Sequence, residues 1–301
     1  MSTHSFIRQA HRTPVQRFLT DPAVAVVAVL FWGIFKILPP HLASNMGGIL
    51  GGMVGHLMRR RNHIGLVNLG IAFPDKSPAE RQKILTAMWH HWGRFYAEMP
   101  PAHRLFEQAR IVGLEHLRQA VAAGTGGLVC SAHLGNWELA VSQPLFDDFY
   151  LNPVYRPANN PWLDKLMFQR RTGILIPKGE TGARQILNIL RAHGFVGMLC
   201  DQKLREGIPV PFFGKEAMTP PAIAVLALKF RVPLFMARVI RQPDTSFVIE
   251  VSPPLPVPPN NTPETVAEVM RTINARYESW IRENPEQWLW IHRRFDKSEY
   301  T

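Results

Sequence analysis

A histidine and a glutamate five positions apart are the clearest sign of chemistry in this sequence. His133 and Glu138 lie in the segment SAHLGNWELA, directly after the apolar run GGLVC. On a regular helix, residues five apart point in different directions, so these side chains must straddle a corner between a strand and a helix that begins at about Asn136. A carboxylate that accepts a hydrogen bond from one imidazole nitrogen leaves the other nitrogen basic. The pair is therefore a candidate general base with its orienting partner.

The same segment allows other interpretations. The simplest is a histidine packed at a strand end beside a solvated glutamate. Zinc binding is disfavoured because the sequence lacks the His-Glu-x-x-His spacing. Ser131 and Cys130 are candidate nucleophiles of a thioesterase or lipid hydrolase, but neither lies in a Gly-x-Ser-x-Gly turn.

The surrounding pattern predicts the elements that position this corner. From about residue 126, the apolar segments GGLVCSA, LNPVY, GILIP and FVGMLCD alternate with amphipathic helices. Such alternation predicts βαβ units, and hence an α/β fold with a largely parallel central sheet flanked by helices. Ligands of such sheets bind at the carboxyl ends of the strands, where His133 would lie.

Further elements follow from caps and periodicity. Ser77 and Glu80 form a capping box at the start of an amphipathic helix. Thr219 is predicted to cap the apolar helix PPAIAVLALKF, and the segment before it is predicted to be a loop. The segments PLFMARVI and FVIEVS are predicted to form a hairpin, and a long helix is predicted from about residue 263 to 283.

Two apolar segments near the N-terminus predict a membrane-anchoring helical region. The run from residue 22 to 38 is close to the short end of a bilayer span. A second, glycine-rich run ends in Arg59–Arg61, which suits an anionic membrane surface. The sequence allows a span, an interfacial anchor or a buried helix. We expect residues 1–60 to form the anchor region and residues 61–301 the catalytic domain.

Composition limits the partners. The 34 Lys and Arg against 23 Asp and Glu give a net charge of +11, which favours nucleic acid, anionic lipid or an acidic carrier protein. Nucleic acid is disfavoured because no zinc-finger or RNP-type motif accompanies the charge.

The two cysteines, Cys130 and Cys200, show neither metal-binding spacing nor a disulfide framework, which fits a reducing cytoplasm.

Five segments, in order, give the sequence a wider resemblance. HLGNWE resembles the His-x4-Asp/Glu block of the lysophospholipid acyltransferase superfamily. RRRNHIGLVNLGIAFPDKSPAERQKI, VYRPANNPWLDKLMFQRR, DQKLREGIPVPFFGKEAMTPPA and PEQWLWIHRRF resemble, in this order, blocks of the bacterial lipid A biosynthesis acyltransferases. The resemblance extends from about residue 22 to 296. It implies late lauroyl or myristoyl addition in lipopolysaccharide biosynthesis, at the bacterial inner membrane with the catalytic domain facing the cytoplasm.

The resemblance also implies a mechanism. His133 would be the general base and Glu138 its charge partner, with no acyl-enzyme intermediate. A hydroxyl of the acceptor would attack the thioester of the acyl donor. Backbone amides near Gly135, or an arginine, would bind the oxyanion. No metal or bound cofactor is implied.

Polar residues beyond this pair are candidates for substrate binding. They are Asn136, Arg156, Arg170, Arg171 and Asp201. By the resemblance, Arg171, or Arg170 beside it, would meet a phosphate or the donor, and Asp201 would organise the site. Arg156 follows a strand, so it is either a phosphate ligand or a solvated loop charge. Trp288, Trp290, Arg293 and Arg294 alternate aromatic and basic, which suits either a lipid headgroup or core packing.

The implied substrates are an acyl carrier protein thioester and a hydroxyl of an anionic glycolipid in the membrane. Composition alone does not separate acyl carrier protein from acyl-CoA. Gln202 and Lys203 depart from the more acidic run of some family members, so another glycolipid, aminolipid or lysophospholipid is the alternative acceptor. A non-catalytic lipid-binding scaffold is the alternative from a different functional class.

Overall fold

The computed structural model of the chain describes residues 19–142, 149–168, 171 and 173–301. Two predictions lie outside these residues: the first part of the anchor region, residues 1–18, and the substrate-binding candidate Arg170. The described residues form a seven-stranded sheet, a separate two-stranded hairpin and the helices that surround them.

The seven-stranded sheet is largely parallel, as predicted. Its strands are β1 Arg110–Val112, β2 Gly127–Ser131, β3 Leu151–Tyr155, β4 Ile176–Pro177, β5 Phe195–Leu199, β8 Leu234–Arg241 and β9 Phe247–Val251, and the hairpin strands are β6 Ile208–Phe212 and β7 Lys215–Thr219. The order across the sheet is β1-β9-β8-β2-β5-β3-β4. Only β8 and β9 pair antiparallel within this sheet, which confirms the predicted hairpin.

Helices cover both faces of the sheet. They are α1 Asp21–Ile37, α2 Pro40–Leu57, α3 Arg59–Ala72, α4 Pro78–Glu98, α5 Ala102–Glu107, α6 Leu114–Ala122, α7 Leu139–Ser142, α8 Pro161–Phe168, α9 Glu180–Arg191, α10 Ala222–Phe230 and α11 Pro263–Glu283. Along β2, Leu128 and Cys130 belong to one apolar cluster, whereas Val129 belongs to a second. Because alternate residues of a strand point to opposite faces, these two clusters lie on opposite faces of the sheet.

The segment before α10 differs from the prediction. It forms the antiparallel hairpin β6–β7 and not a loop. The prolines Pro209 and Pro211 conceal the pattern, but they alternate with the buried Val210 and Phe212, as prolines do on edge strands. Thr219 ends β7 and does not cap the helix, because α10 begins at Ala222 after Pro221.

The N-terminal helices pack against α4 through glycines. A Cβ at Gly51 would lie 2.3 Å from the carbonyl oxygen of Trp89 and 2.6 Å from Gly93 Cα, so α2 and α4 approach at backbone contact distance. Helices α1 and α2 expose many apolar side chains: Val24, Val26, Val27, Val29, Leu30, Ile34, Ile37, Leu42, Met46, Ile49, Leu50, Met53, Val54 and Leu57. Among residues 19–301 as described, no helix is both long and apolar enough to cross a bilayer.

The close approach of α2 and α4 leads to a prediction. Gly51→Ala is expected to lower the free energy of unfolding by about 1–3 kcal/mol, because the added methyl group overlaps α4 backbone. At the exposed Gly33 of α1, a Cβ meets nothing within 4 Å. Gly33→Ala is therefore the matched control, expected to stabilise its helix by about 1 kcal/mol. Thermal unfolding in detergent, followed by circular dichroism, measures both; equal effects would contradict this packing.

Candidate active site

His133 and Asp201 meet because two neighbouring strands end side by side. β2 and β5 run parallel with Ser131 paired to Leu199, so residues just beyond each strand share one edge of the sheet. His133 Nδ1 lies 2.8 Å from Asp201 Oδ1, and the His133 amide donates to Oδ2 at 2.9 Å. Trp288 Nε1 donates to the same Oδ2 at 2.8 Å. Asp201 thus accepts three hydrogen bonds from these two residues.

These contacts keep the Asp201 carboxylate ionised. Its side chain is 1% exposed, and burial alone would raise its pKa. The charge of His133 and the hydrogen bonds from His133 and Trp288 outweigh burial and lower the pKa of Asp201 to about 2. An ionised carboxylate only accepts, so His133 carries its proton on Nδ1 and leaves the Nε2 lone pair for a substrate. This arrangement suits a general base.

The carboxylate beside His133 differs from the one expected. The prediction assigned the imidazole to Glu138, but its Nδ1 partner is Asp201. Glu138 lies in the turn before the short helix α7, and its carboxylate pairs with Arg171 through Nε at 3.0 Å and Nη2 at 2.5 Å. The predicted helix start at Asn136 is also three residues early, because α7 begins at Leu139. Glu138 is not the partner of His133 because the pairing of β2 with β5, and not the local turn, brings a carboxylate to the imidazole.

Two further predictions in this loop are corrected. The Gly135 amide was a candidate oxyanion donor, but it donates to the carbonyl of Gln287 at 3.0 Å. Gly135 has φ +63°, and a Cβ there would lie 1.6 Å from the carbonyl oxygen of Val239. Asn136 was a candidate substrate ligand, but it is fully buried and its Nδ2 donates to Glu98 Oε2 at 2.9 Å. The Gly135 amide and Asn136 Nδ2 are thus engaged in contacts that hold the loop.

The arginine candidates lie near the same edge of the sheet. Arg156 is exposed directly after β3, the strand beside β5. Arg171 is nearly buried, with 8% of its side chain exposed, and its guanidinium lies 5.9 Å from the centre of the Tyr155 ring. Glu138 thus holds Arg171 close to the loop that carries His133.

Of the four aromatic and basic residues near the C-terminus, Trp288, Trp290 and Arg294 are core residues. Trp288 and Trp290 are 2% and 0% exposed, so the lipid-headgroup interpretation is wrong for them. Arg294 is 1% exposed and donates to Thr219 Oγ1 at 2.8 Å, and burial lowers its pKa to about 10. Arg293 packs over the Tyr300 ring. Sequence reasoning missed the contact between Trp288 and Asp201, which no local pattern signals.

An apolar pocket of about 470 Å³ opens beside the contact of α2 with α4 and is bounded also by Phe31 of α1 and by residues 289–292. Its walls include Leu50, Val54, Trp89, Trp92, Tyr96 and Ile291, with His292 and Arg61 as polar neighbours. The Trp137 ring lies between the pocket wall and the site, because it contacts both Trp92 and His133 at centroid distances of 5.7 and 5.0 Å.

The alternative nucleophile Cys130 does not face the site. Its side chain is fully buried, with Sγ 2.9 Å from the Tyr277 hydroxyl. In the part of the chain that the structure describes, no group of three His, Cys, Asp or Glu side chains is placed to hold a metal ion.

The low pKa of Asp201 leads to a prediction about acid stability. Because the folded-state pKa is about 2 and the unfolded one is about 3.9, the carboxylate contributes about 2–3 kcal/mol above about pH 5. That contribution is lost as the pH falls from about 4 to about 2. Urea unfolding of wild type and Asp201→Asn should therefore give a stability difference that shrinks on acidification through this range. A difference independent of pH would contradict the assignment.

Comparisons with known proteins agree with the resemblance seen in the sequence. The profile of a family described as "Bacterial lipid A biosynthesis acyltransferase" matches residues 15–297. The lipid A biosynthesis lauroyltransferase of Escherichia coli (strain K12) is 28% identical over 270 residues, which cover 86% of each chain. The lipid A biosynthesis palmitoleoyltransferase of the same organism is 27% identical over 275 residues, again 86% of each. A lipid A biosynthesis acyltransferase of Haemophilus influenzae is 23% identical over 279 residues, 88% of this chain and 85% of the relative.

Proposed function

The chain belongs to the bacterial lipid A biosynthesis acyltransferase family, and on this premise we propose that it moves a fatty acyl chain from an acyl carrier protein thioester to a hydroxyl of a lipid A precursor. It is an acyltransferase of lipid A biosynthesis. The observation that carries the mechanism is the contact between His133 and the ionised Asp201 at adjoining strand ends. This contact leaves Nε2 as the base.

In the proposed reaction, His133 Nε2 removes the proton of the acceptor hydroxyl while the hydroxyl oxygen attacks the thioester carbonyl carbon. The carbon–sulfur bond then breaks, and the departing sulfur takes the proton from the imidazolium. Asp201 stabilises the imidazolium in between, because its carboxylate stays ionised and bound to Nδ1. No acyl-enzyme forms, since the hydroxyl attacks the donor directly.

The proposed role of Glu138 is to hold Arg171. Its two carboxylate oxygens fix the guanidinium in a two-point pair, so Arg171 is held in one orientation near the site. Because the Gly135 amide is already bound, we assign the oxyanion or a substrate phosphate to an arginine, with Arg171 first and Arg156 and Arg170 as further phosphate ligands.

We assign the acyl chain of the donor to the apolar pocket beside the contact of α2 with α4. The lining is mainly hydrocarbon and aromatic, and one ring, Trp137, lies between its wall and His133. Each buried methylene contributes about 0.8 kcal/mol, and a blocked pocket excludes longer chains sterically. The depth of this pocket would then set the acyl length.

This assignment predicts a change in chain preference. Val54→Phe adds bulk to the pocket wall and is expected to shift the preferred acyl chain to one shorter by about two methylenes, a change of order tenfold in relative kcat/KM. Val27→Phe, on the exposed outer face of α1, is the matched control and should keep the wild-type preference. Competition between acyl carrier protein thioesters of different lengths, with products separated by mass, measures both. An unchanged preference in Val54→Phe would place the acyl chain elsewhere.

We further propose that the protein acts at the cytoplasmic face of the inner membrane. The exposed apolar faces of α1 and α2 give a surface that fits acyl chains, and Arg59–Arg61 follow it at the start of α3, where anionic headgroups would lie. In this scheme residues 1–60 anchor the protein and residues 61–301 carry the catalytic domain.

The test uses purified protein in detergent with radiolabelled donors. Acyl carrier protein thioesters and acyl-CoA are each offered with a lipid A precursor or with a lysophospholipid as acceptor. We expect transfer from the carrier protein to the lipid A precursor. Transfer only to the lysophospholipid would overturn the acceptor while keeping the chemistry. Release of free fatty acid without acceptor would instead indicate hydrolysis.

A further inference from the structure

A buried ion pair lies beneath the loop that carries His133. Glu98, at the end of α4, is fully buried, and its two carboxylate oxygens accept from the Arg241 guanidinium, with Nη2 2.6 Å from Oε2. Arg241 ends β8, which runs parallel to β2, so its side chain lies at the edge where His133 lies. Buried ion pairs are often no more stabilising than apolar residues of similar size. The pair therefore points to a role in geometry.

Two connections lead from this pair to the loop. Asn136 Nδ2 donates to Glu98 Oε2 at 2.9 Å. Arg241 Nε donates to His91 Nδ1 at 3.4 Å, and His91 Nε2 donates to the carbonyl of Gly135 at 3.2 Å. Burial and the charge of Arg241 lower the pKa of His91 to about 3, so His91 is neutral, as this chain of donors requires.

Gln287 adds a third connection. Its side-chain oxygen accepts from the Arg241 amide and its side-chain nitrogen donates to the Arg241 carbonyl, both at 3.0 Å. Its own carbonyl accepts the Gly135 amide at 3.0 Å. The next residue, Trp288, donates to Asp201. Residues 287 and 288 thus contact both the loop that carries His133 and Asp201, the partner of His133.

We propose that Glu98, Arg241 and His91 form a positioning cluster for the loop of residues 133–136. The cluster holds the carbonyl of Gly135 and the side chain of Asn136, and Gln287, which is bound to the Arg241 backbone, holds the Gly135 amide. It thereby sets the distance between His133 Nε2 and the reacting hydroxyl, and a displacement of about 1 Å would cost about 100-fold in rate. This inference rests on the proposed function only for the identity of the base.

The test exchanges donor and acceptor within the cluster. Asn136→Asp places a second carboxylate against Glu98, and kcat per folded molecule is expected to fall about 100-fold while KM for the donor changes less than about threefold. In the double variant Asn136→Asp/Glu98→Gln, the new amide donates to the new carboxylate, while its NH2 group replaces the oxygen that accepts from Arg241 Nη2, so recovery is expected to be partial. We expect this variant to recover to within about tenfold of wild-type kcat. Wild-type kcat in Asn136→Asp would overturn the proposal.

The control removes an ion pair from the same strand but away from the loop. Glu250→Gln deletes the partner that lies 2.7 Å from Arg238 on β8. This variant should keep wild-type kcat even if its thermal stability falls. If it loses activity as Asn136→Asp does, the effect is general destabilisation and the positioning role is wrong.

A readout without substrate separates this inference from the proposed function. Carbethoxylation of His133 by diethyl pyrocarbonate, followed by peptide mass spectrometry, reports the placement of the imidazole. We expect the rate in Asn136→Asp to change at least about fivefold and the double variant to return toward wild type, whatever the acceptor lipid is. An unchanged rate would overturn the positioning role even if acyl transfer is confirmed. A changed rate in a protein that transfers no acyl chain would keep this role and reject the function.

Discussion

Replacing His133 with alanine is expected to lower kcat for acyl transfer by about 1,000-fold, because the acceptor hydroxyl loses the base that removes its proton. KM for the acyl donor should stay within about threefold of wild type, since the apolar pocket proposed for the acyl chain is unchanged. The measurement is transfer of radiolabelled acyl groups under saturating donor and acceptor.

An exposed histidine provides the control for this change. His103 lies on α5 with its side chain in solvent, so His103→Ala should keep wild-type kcat. Circular dichroism of each variant confirms that the fold is intact. If His133→Ala keeps full activity, the base lies elsewhere and the mechanism is wrong.

Replacing Asp201 with asparagine is expected to lower kcat by about 100-fold to 1,000-fold, although the shape of the side chain is kept. The oxygen of the new amide must accept the two donors now at Oδ2, the His133 amide and Trp288 Nε1. Its NH2 group then faces Nδ1 and forces Nδ1 to accept. The His133 proton moves to Nε2, and the base loses the lone pair that it needs.

Glu138→Gln is the matched comparison for Asp201→Asn. It removes the charge that pairs with Arg171 but leaves the contact between His133 and Asp201 in place. We therefore expect a smaller loss of kcat, about tenfold, together with a higher KM for the anionic substrate. A loss in Glu138→Gln as large as that in Asp201→Asn would show that the glutamate, and not the aspartate, orients the base.

Six of the seven strands of the sheet could be predicted from sequence because each has a local signal, whereas the three-residue strand β1 was not predicted. β2, β3 and β5 read as short apolar runs between amphipathic helices, and their parallel pairing follows from that alternation. The hairpin β6–β7 could not be predicted in the same way. Its alternating prolines resemble a loop, and only burial of Val210 and Phe212 shows that one face is a strand packed on the core.

The position of His133 at a strand end could be predicted from the sequence, but the residue that pairs with its imidazole could not. His133 stands out because it ends a buried strand, and this placement is a local property. The partner Asp201 is 68 positions further along the chain and is selected by the register of β2 against β5. Glu138 is closer in sequence, but the turn directs its carboxylate to Arg171. Contacts between segments far apart in the chain, such as that of Trp288 with Asp201, produce no recognisable residue spacing in the sequence.

Mass spectrometry of lipid A from living cells tests the central claim most directly. Bacteria that lack one late acyltransferase would express either wild-type protein or His133→Ala at matched levels. The proposed function predicts that lipid A gains the mass of one acyl chain with wild type and gains nothing with His133→Ala. Lipid A unchanged by the wild-type protein, or acylated equally by both, would contradict it.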